Sequence, residues 1–135
     1  MIETDQHRLN EIKTLTKLCE NTNYEFKQTE KFCRYDAEIY DITDHELKAI
    51  VEIKNRNIKS TSFKDWFISY KKWDYGKRIA KQKKCKIILV AGLIDGLFYI
   101  DITNKKIGNG ITKCYNEQLQ DEMIYIPMSL LKRKL

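Results

Sequence analysis

The chain has 135 residues, of which 42% are apolar and 33% charged, with one Pro and five Gly. That is one domain's worth of chain with enough apolar side chains for a core, and it excludes disordered, collagenous and low-complexity classes. Lys and Arg number 25 against 19 Asp and Glu, a net charge of +6, which points to a polyanionic partner, nucleic acid ahead of an anionic membrane surface.

Residues 5 to 20 predict a helix, with Asp5 as N-cap and Leu9, Ile12, Leu15, Thr16 and Cys19 as its inward stripe. Its start, MIETDQHRLNEIK, carries acids and reads as neither a signal nor a transit peptide. Asn21 to Asn23 ends the helix. Tyr24 to Gln28 predicts a short strand and Phe32 to Tyr40 a longer one. Asp41 to Glu46 is turn material. Leu47 to Lys54 alternates with period two, Leu47, Ala49, Val51 and Ile53 on one face and Lys48, Ile50, Glu52 and Lys54 on the other. These last two strands should form a hairpin.

Asn55 to Ser62 is a polar loop, and Ser62 is placed to cap a long helix reaching about Lys84. Trp66, Tyr70, Trp73 and Ile79 or Ala80 supply its apolar side, best read as core packing. Gly76 is an interior weak point costing ~1 kcal/mol against Ala. KIILVAGL (86–93) reads as a fully buried strand, and LFYIDI (97–102) follows it across an Asp95-Gly96 turn. Residues 103–122 are the least regular. MIYIPM (123–128) reads as a last edge strand, because Pro127 cannot donate to a ladder. The tail LLKRKL is short and basic.

The longest apolar run, Ile87 to Ile94, falls well short of the ~20 residues of a membrane helix. Cys19, Cys33, Cys85 and Cys114 match no zinc-ligand spacing and read as reduced thiols of a cytoplasmic protein. His7 and His45 have no triad pattern. Helix, three strands, helix, strands predicts an α/β (α+β) sandwich around one mixed sheet, in a single domain over 1–135. The path from Leu47 to Leu93 permits a parallel pair joined by a right-handed crossover.

The hairpin carries the chemistry. If it centres on Asp44, Asp36 lies opposite Glu52, Glu38 opposite Ile50 and Tyr40 opposite Lys48. Directly opposed Cβ atoms are ~4.5–5.5 Å apart, and like charges so placed repel. A divalent cation would offset that repulsion. Mg²⁺ suits oxygen ligands and keeps waters for a phosphate, with Mn²⁺ able to substitute. The Ile53 carbonyl is a candidate third ligand, and Glu38 a spare one. Lys54 shares the Glu52 face, so it would stand beside a metal-bound water and orient it, lower its pKa or stabilise a pentacovalent phosphate. Together with the basic surface this describes phosphodiester hydrolysis. The ordinary alternative is an E-x-K ion network on a solvated sheet face.

Asp36, then 15 residues, then Glu52-Ile53-Lys54 resembles the PD-(D/E)xK nuclease signature, and the element order is similar to that superfamily's core. The proline of the motif is absent, since Tyr35 precedes Asp36. VEIKNR, with Arg56, is similar to the E-x-K-x-R form of small phage and bacterial members, endonucleases or Holliday-junction resolvases. The resemblance implies a restriction-endonuclease-like fold, a metal held by Asp36 and Glu52, and Lys54 at the water. It further implies a helical glutamate reaching the metal or its water, best matched by Glu11 with Glu20 as alternative. A helix lysine facing the site or the DNA is best matched by Lys72, then Lys71, in FISYKKWDY.

Arg56, Lys71, Lys72, Lys77, Arg78 and Lys81 are the candidate phosphate contacts; a solvated basic helix end is the plainer reading for the last three. The expected function is a Mg²⁺-dependent nuclease hydrolysing DNA by metal-bound water attack. The alternatives are a non-catalytic nucleic-acid-binding protein that keeps the nuclease fold, and an interaction protein with an accidental E-x-K. DNA against RNA and endo- against exonuclease action stay open. A homodimer through 103–135 would suit double-strand or junction cutting. The Lys-, Ile- and Asn-rich composition fits a phage or a low-GC bacterium, hence the host cytoplasm.

Overall fold

In the computed structural model, which describes residues 4–31 and 33–134, the alternating segments build two sheets where one was expected. Helix α1 (Asp5–Cys19) leads into β1 (Tyr24–Gln28), β2 (Ala37–Asp41) and β3 (Leu47–Asn55). β4 (Asp65–Ser69) precedes helix α2 (Tyr70–Lys83), and β5 (Lys86–Leu93) and β6 (Gly96–Asp101) follow it. β7 (Thr112–Asn116), β8 (Asp121–Pro127) and β9 (Lys132–Lys134) complete the strands. The larger sheet runs β1-β2-β3-β5-β6-β9 and the smaller one β4-β8-β7. β3 and β5 are parallel, as α2 between them allows; the other pairs are antiparallel.

The period-two pattern of β3 divides the core as expected. Ala49, Val51 and Ile53 pack toward Leu15, Leu18 and Cys19 of α1. Ile50 faces the other way, into a core shared by Trp73 and Ala80 of α2 and by Trp66, Ile68, Ile124 and Ile126 of the small sheet. Each such fully buried aliphatic side chain contributes about 1.5–3 kcal/mol. Glu52 and Lys54 therefore emerge on the α2 side of the large sheet.

Several expectations are corrected. Thr4, not Asp5, caps α1, accepting from the His7 N–H. The inward face of α1 holds Thr14 and Leu15, while Leu9 and Ile12 are exposed. Thr14 can be buried because its hydroxyl donates to Asn55 Oδ1 at 2.8 Å. The strand expected from Phe32 begins only at Ala37, after a turn closed by the Cys33 N–H on the Glu30 carbonyl; Phe32 itself lies outside the described residues. The hairpin register holds for Ala37↔Val51, Glu38↔Ile50 and Ile39↔Ala49, then a bulge sets Tyr40 against Leu47 rather than Lys48.

The long helix expected from Ser62 is a strand followed by a shorter helix. Trp66 and Ile68 alternate into the core and pair with Ile126 and Ile124, so β4 forms, and Ser69 caps α2 through the Lys72 N–H. Trp66 is core, as expected, but from a strand. Gly76 has a packing reason, since a Cβ there would lie 3.1 Å from Ile87 Cδ1. The β5–β6 turn is Ile94-Asp95, with Gly96 already paired to Leu93 at φ +152°. β8 is the central strand of the small sheet; Pro127 is tolerated as its last residue, opposite Asp65. The basic tail supplies β9, an edge strand beside β6. Among the described residues no helix is long and apolar enough to cross a membrane.

Candidate active site

Antiparallel pairing brings the end of β1, the start of β2 and the end of β3 together at one end of these strands. Asp36 immediately precedes β2, and its N–H donates to the Val51 carbonyl at 2.9 Å. Its side chain turns onto β3, where Oδ2 accepts from the Ile53 N–H at 2.7 Å. A strand residue's N–H and C=O project to the same edge, so the Ile53 carbonyl also faces the Asp36 side, beyond the last β2 pair.

Glu52 is 7% exposed and shares a side-chain hydrogen bond with Asp36. Burial pushes its carboxyl up to about 8, and the Asp36 charge adds to this. Lys72, on the first turn of α2, opposes the shift with Nζ 3.9 Å from Glu52 Oε2. Glu52 is thus a buried acid whose negative charge is under-compensated by the protein alone, as the sequence reading of two opposed carboxylates required.

Lys54 lies two residues on, on the same face. Its Nζ donates to the Phe67 carbonyl at 2.9 Å and sits 4.3 Å from the Phe67 ring centroid. Burial brings this ammonium down to about 8, helped by Arg56 and Lys72 and opposed by Glu52. Burial pushes the acid and the base toward each other, so near neutral pH each can hold or release a proton.

An open cleft of about 1420 Å³ lies over these groups. Glu11, Asp36, Glu52, Ile53, Lys54, Arg56, Lys71 and Lys72 all line it, so the structure brings together eight of the residues singled out from the sequence. Glu11 reaches in from α1, and its Oε1 accepts from Gln28 Nε2 at 3.1 Å. Gln28 also donates to the Arg8 carbonyl, tying α1 to β1. The Glu11 charge is felt by Glu52, yet among the described residues no three His, Cys, Asp or Glu converge into a metal cage.

Lys77, Arg78 and Lys81 are not brought to the cleft. Lys77 donates to the carbonyls of Ile102, Thr103 and Lys105, and Arg78 pairs with Asp74 at 3.0 Å. Lys81 is exposed elsewhere on α2. Glu38 is engaged away from Asp36, accepting from the Tyr35 and Tyr40 hydroxyls at 2.9 Å each, so it is not a spare ligand.

The sequence reading missed the α1 wall of the cleft, which presents His7, Asn10, Lys13 and Lys17. Its signal was present: polar residues 7, 10, 14 and 17 recur at helical spacing, beside the apolar positions Leu15 and Leu18. It also missed Asn55 and Gly92. A Cβ on Gly92 would lie 2.0 Å from Asn55 Oδ1, so only glycine lets the Asn55 side chain cross β5 to meet Thr14.

No curated protein matches the chain. The sequence family described as "Phage putative PDDEXK endonuclease" matches residues 1–134, and the mixed six-stranded sheet with its two helices agrees with a restriction-endonuclease-like fold. The chain belongs to this phage endonuclease family of the PD-(D/E)xK nuclease superfamily.

Proposed function

We propose that this protein is a Mg²⁺-dependent nuclease that hydrolyses DNA phosphodiester bonds. One observation carries the reading: a buried, under-compensated Glu52 against a half-buried Asp36, beside Lys54 at the floor of a cleft with basic walls. The donor set fits the ion. Two carboxylates and the Ile53 peptide oxygen are hard ligands, few enough to leave positions for water and phosphate, which is the habit of Mg²⁺. When bound, Mg²⁺ supplies Lewis acidity and a water of lowered pKa, with Mn²⁺ as substitute.

The remaining work falls to the chain. Asp36, braced on the Ile53 N–H, fixes its carboxylate against the end of β3. Lys54 Nζ, tethered by the Phe67 carbonyl, offers its protons to the oxygens of the reacting phosphate and offsets the charge that develops there. Lys72, 3.9 Å from Glu52 Oε2, favours the charged form of that carboxyl and offsets part of its burial. Glu11, held by Gln28, assists at the water from the α1 side. Arg56 and Lys71 contact flanking phosphates along the cleft. The four unpaired cysteines suit the reducing cytoplasm in which such DNA lies.

The test is cleavage of labelled linear, nicked, single-stranded and four-way-junction DNA in Mg²⁺, Mn²⁺ or EDTA, beside Glu52→Ala and Lys54→Ala. Metal-dependent cutting absent from both variants is the expected result. DNA binding without cutting in any metal would replace this reading with the non-catalytic binding protein. Neither binding nor cutting would leave only the interaction protein.

A further inference from the structure

The small sheet carries a feature that the nuclease chemistry does not use. Trp66 and Ile68 of β4 are each 5% exposed, so the intervening Phe67 points the other way and is 37% exposed. Phe67 lies opposite Tyr125 of β8, with ring centroids 6.1 Å apart. The Tyr125 hydroxyl accepts from Asn116 Nδ2 at 3.0 Å, which holds the second ring in place. Phe67 is the end of this ledge nearest the site, with Lys54 Nζ 4.3 Å from its centroid. It borders a small recess together with Glu52, Lys54 and Lys72.

We infer that Phe67 and Tyr125 form a stacking ledge for an unpaired nucleotide beside the scissile phosphate. The preferred DNA then carries single-stranded nucleotides at the cut: a single strand, an overhang or a flap. The inference rests on the nuclease reading above, because it takes Lys54 to mark the reacting phosphate. A base inside a duplex has both faces covered by its neighbours, so only an unpaired or terminal base can offer a face to a protein ring. Stacking on an aromatic side chain is tolerant of sequence, because every base has a π-face. The cation over Phe67 orders the ring before substrate arrives. Continuity of the ledge with the lysine, and the positive charge of Lys54 and Lys72 beside it, select a strand whose phosphate and base are held together.

The experiment measures binding in EDTA, where the full chain cannot cut. The probes are a blunt duplex and the same duplex with a single-stranded overhang bearing 2-aminopurine. The wild type should prefer the overhang and quench 2-aminopurine by stacking. In Phe67→Leu that preference should fall about 10-fold and the quenching should vanish, whereas Phe67→Trp should keep both. Thermal melting checks that each variant is folded. An unchanged preference in Phe67→Leu, or an equal loss on both DNAs, would overturn the ledge. Loss of Mg²⁺-dependent cleavage in Glu52→Ala is scored separately, so the ledge can fail while the nuclease stands. A wild type that binds neither DNA would overturn both.

Discussion

Lys54 and Lys77 share most of their local features. Each ammonium donates to a backbone carbonyl at 2.9 Å, Lys54 to Phe67 and Lys77 to Ile102. Each lies over an aromatic ring, Phe67 at 4.3 Å and Trp73 at 5.2 Å. Burial is the first cause lowering the pKa of each. They differ in what stands around them. Lys54 faces Glu52, with Asp36 behind it and a cleft in front. Lys77 is wrapped by the carbonyls of Ile102, Thr103 and Lys105, and the charges that act on it are those of Lys106 and Asp101. Desolvation alone therefore does not mark a reactive lysine. An acid pair and open space beside it are what the proposed function draws on at Lys54, whereas a ring of carbonyls makes the same group a clip that fastens the turn after β6 onto α2.

The largest test of this contrast is Lys54→Ala. Cleavage should fall by about 10²–10³-fold, as for loss of one donor to transition-state charge. DNA affinity in EDTA should change far less, and urea unfolding should show a folded protein. Full activity in Lys54→Ala would end the comparison.

Next in size is the pH dependence set by Glu52. The unfolded chain releases this proton near pH 4.5, the folded chain near pH 8. Between those values the folded state binds more protons, so stability falls as pH rises. Denaturant unfolding in EDTA should show a loss of roughly 2–5 kcal/mol across that window, and Glu52→Gln should flatten it. Adding Mg²⁺ at pH 8 should restore stability to the wild type and not to the variant. A wild-type profile that is flat from pH 4.5 to pH 8 would remove the buried acid from the argument.

Lys77→Ala should behave as the opposite of Lys54→Ala. The urea midpoint should drop by the equivalent of about 1–2 kcal/mol, since carbonyls lose a charged partner but remain near solvent. Cleavage and DNA affinity should hold once the protein is folded. Loss of cleavage in Lys77→Ala at unchanged stability would erase the distinction.

The smallest effect belongs to Arg78→Ala with Lys81→Ala. Stability should move by no more than ~0.5 kcal/mol, because the Arg78–Asp74 pair is exposed. The dependence of DNA affinity on salt should stay as in the wild type. A slope lowered by about one per residue removed would place phosphates on this end of α2 and restore the sequence expectation.

The site was legible because its geometry follows from local counting. Period two puts Glu52 and Lys54 on one face of β3, and the short turn after Asp41 sets Asp36 against the Glu52 end. The bulge after Ile39 slips the register on the turn side, leaving the site untouched. The wall at the start of α2 was legible through Lys71 and Lys72, although the helix was expected to start too early. The polar stripe of α1 was equally present in the sequence, but attention to its apolar positions hid it.

Other features were not legible. Trp66, Tyr70 and Trp73 fit a helix by their spacing, while Trp66 and Ile68 fit a strand; short apolar runs leave that choice open. Ile124 and Ile126 decide it by pairing with β4. In the same way nothing in the residues flanking Lys54 and Lys77 tells what will surround each ammonium until the chain returns. By itself the sequence determined the alternation of β3, the Asp36–Glu52 opposition and the basic balance of charge, because pleat, turn length and composition act over a few residues. Only the tertiary structure decided that β8 is central, that Glu38 belongs to two tyrosines, and which lysine meets an acid and which a cage of carbonyls. Burial and hydrogen-bond partners come from segments far away in the chain, and no local period records them.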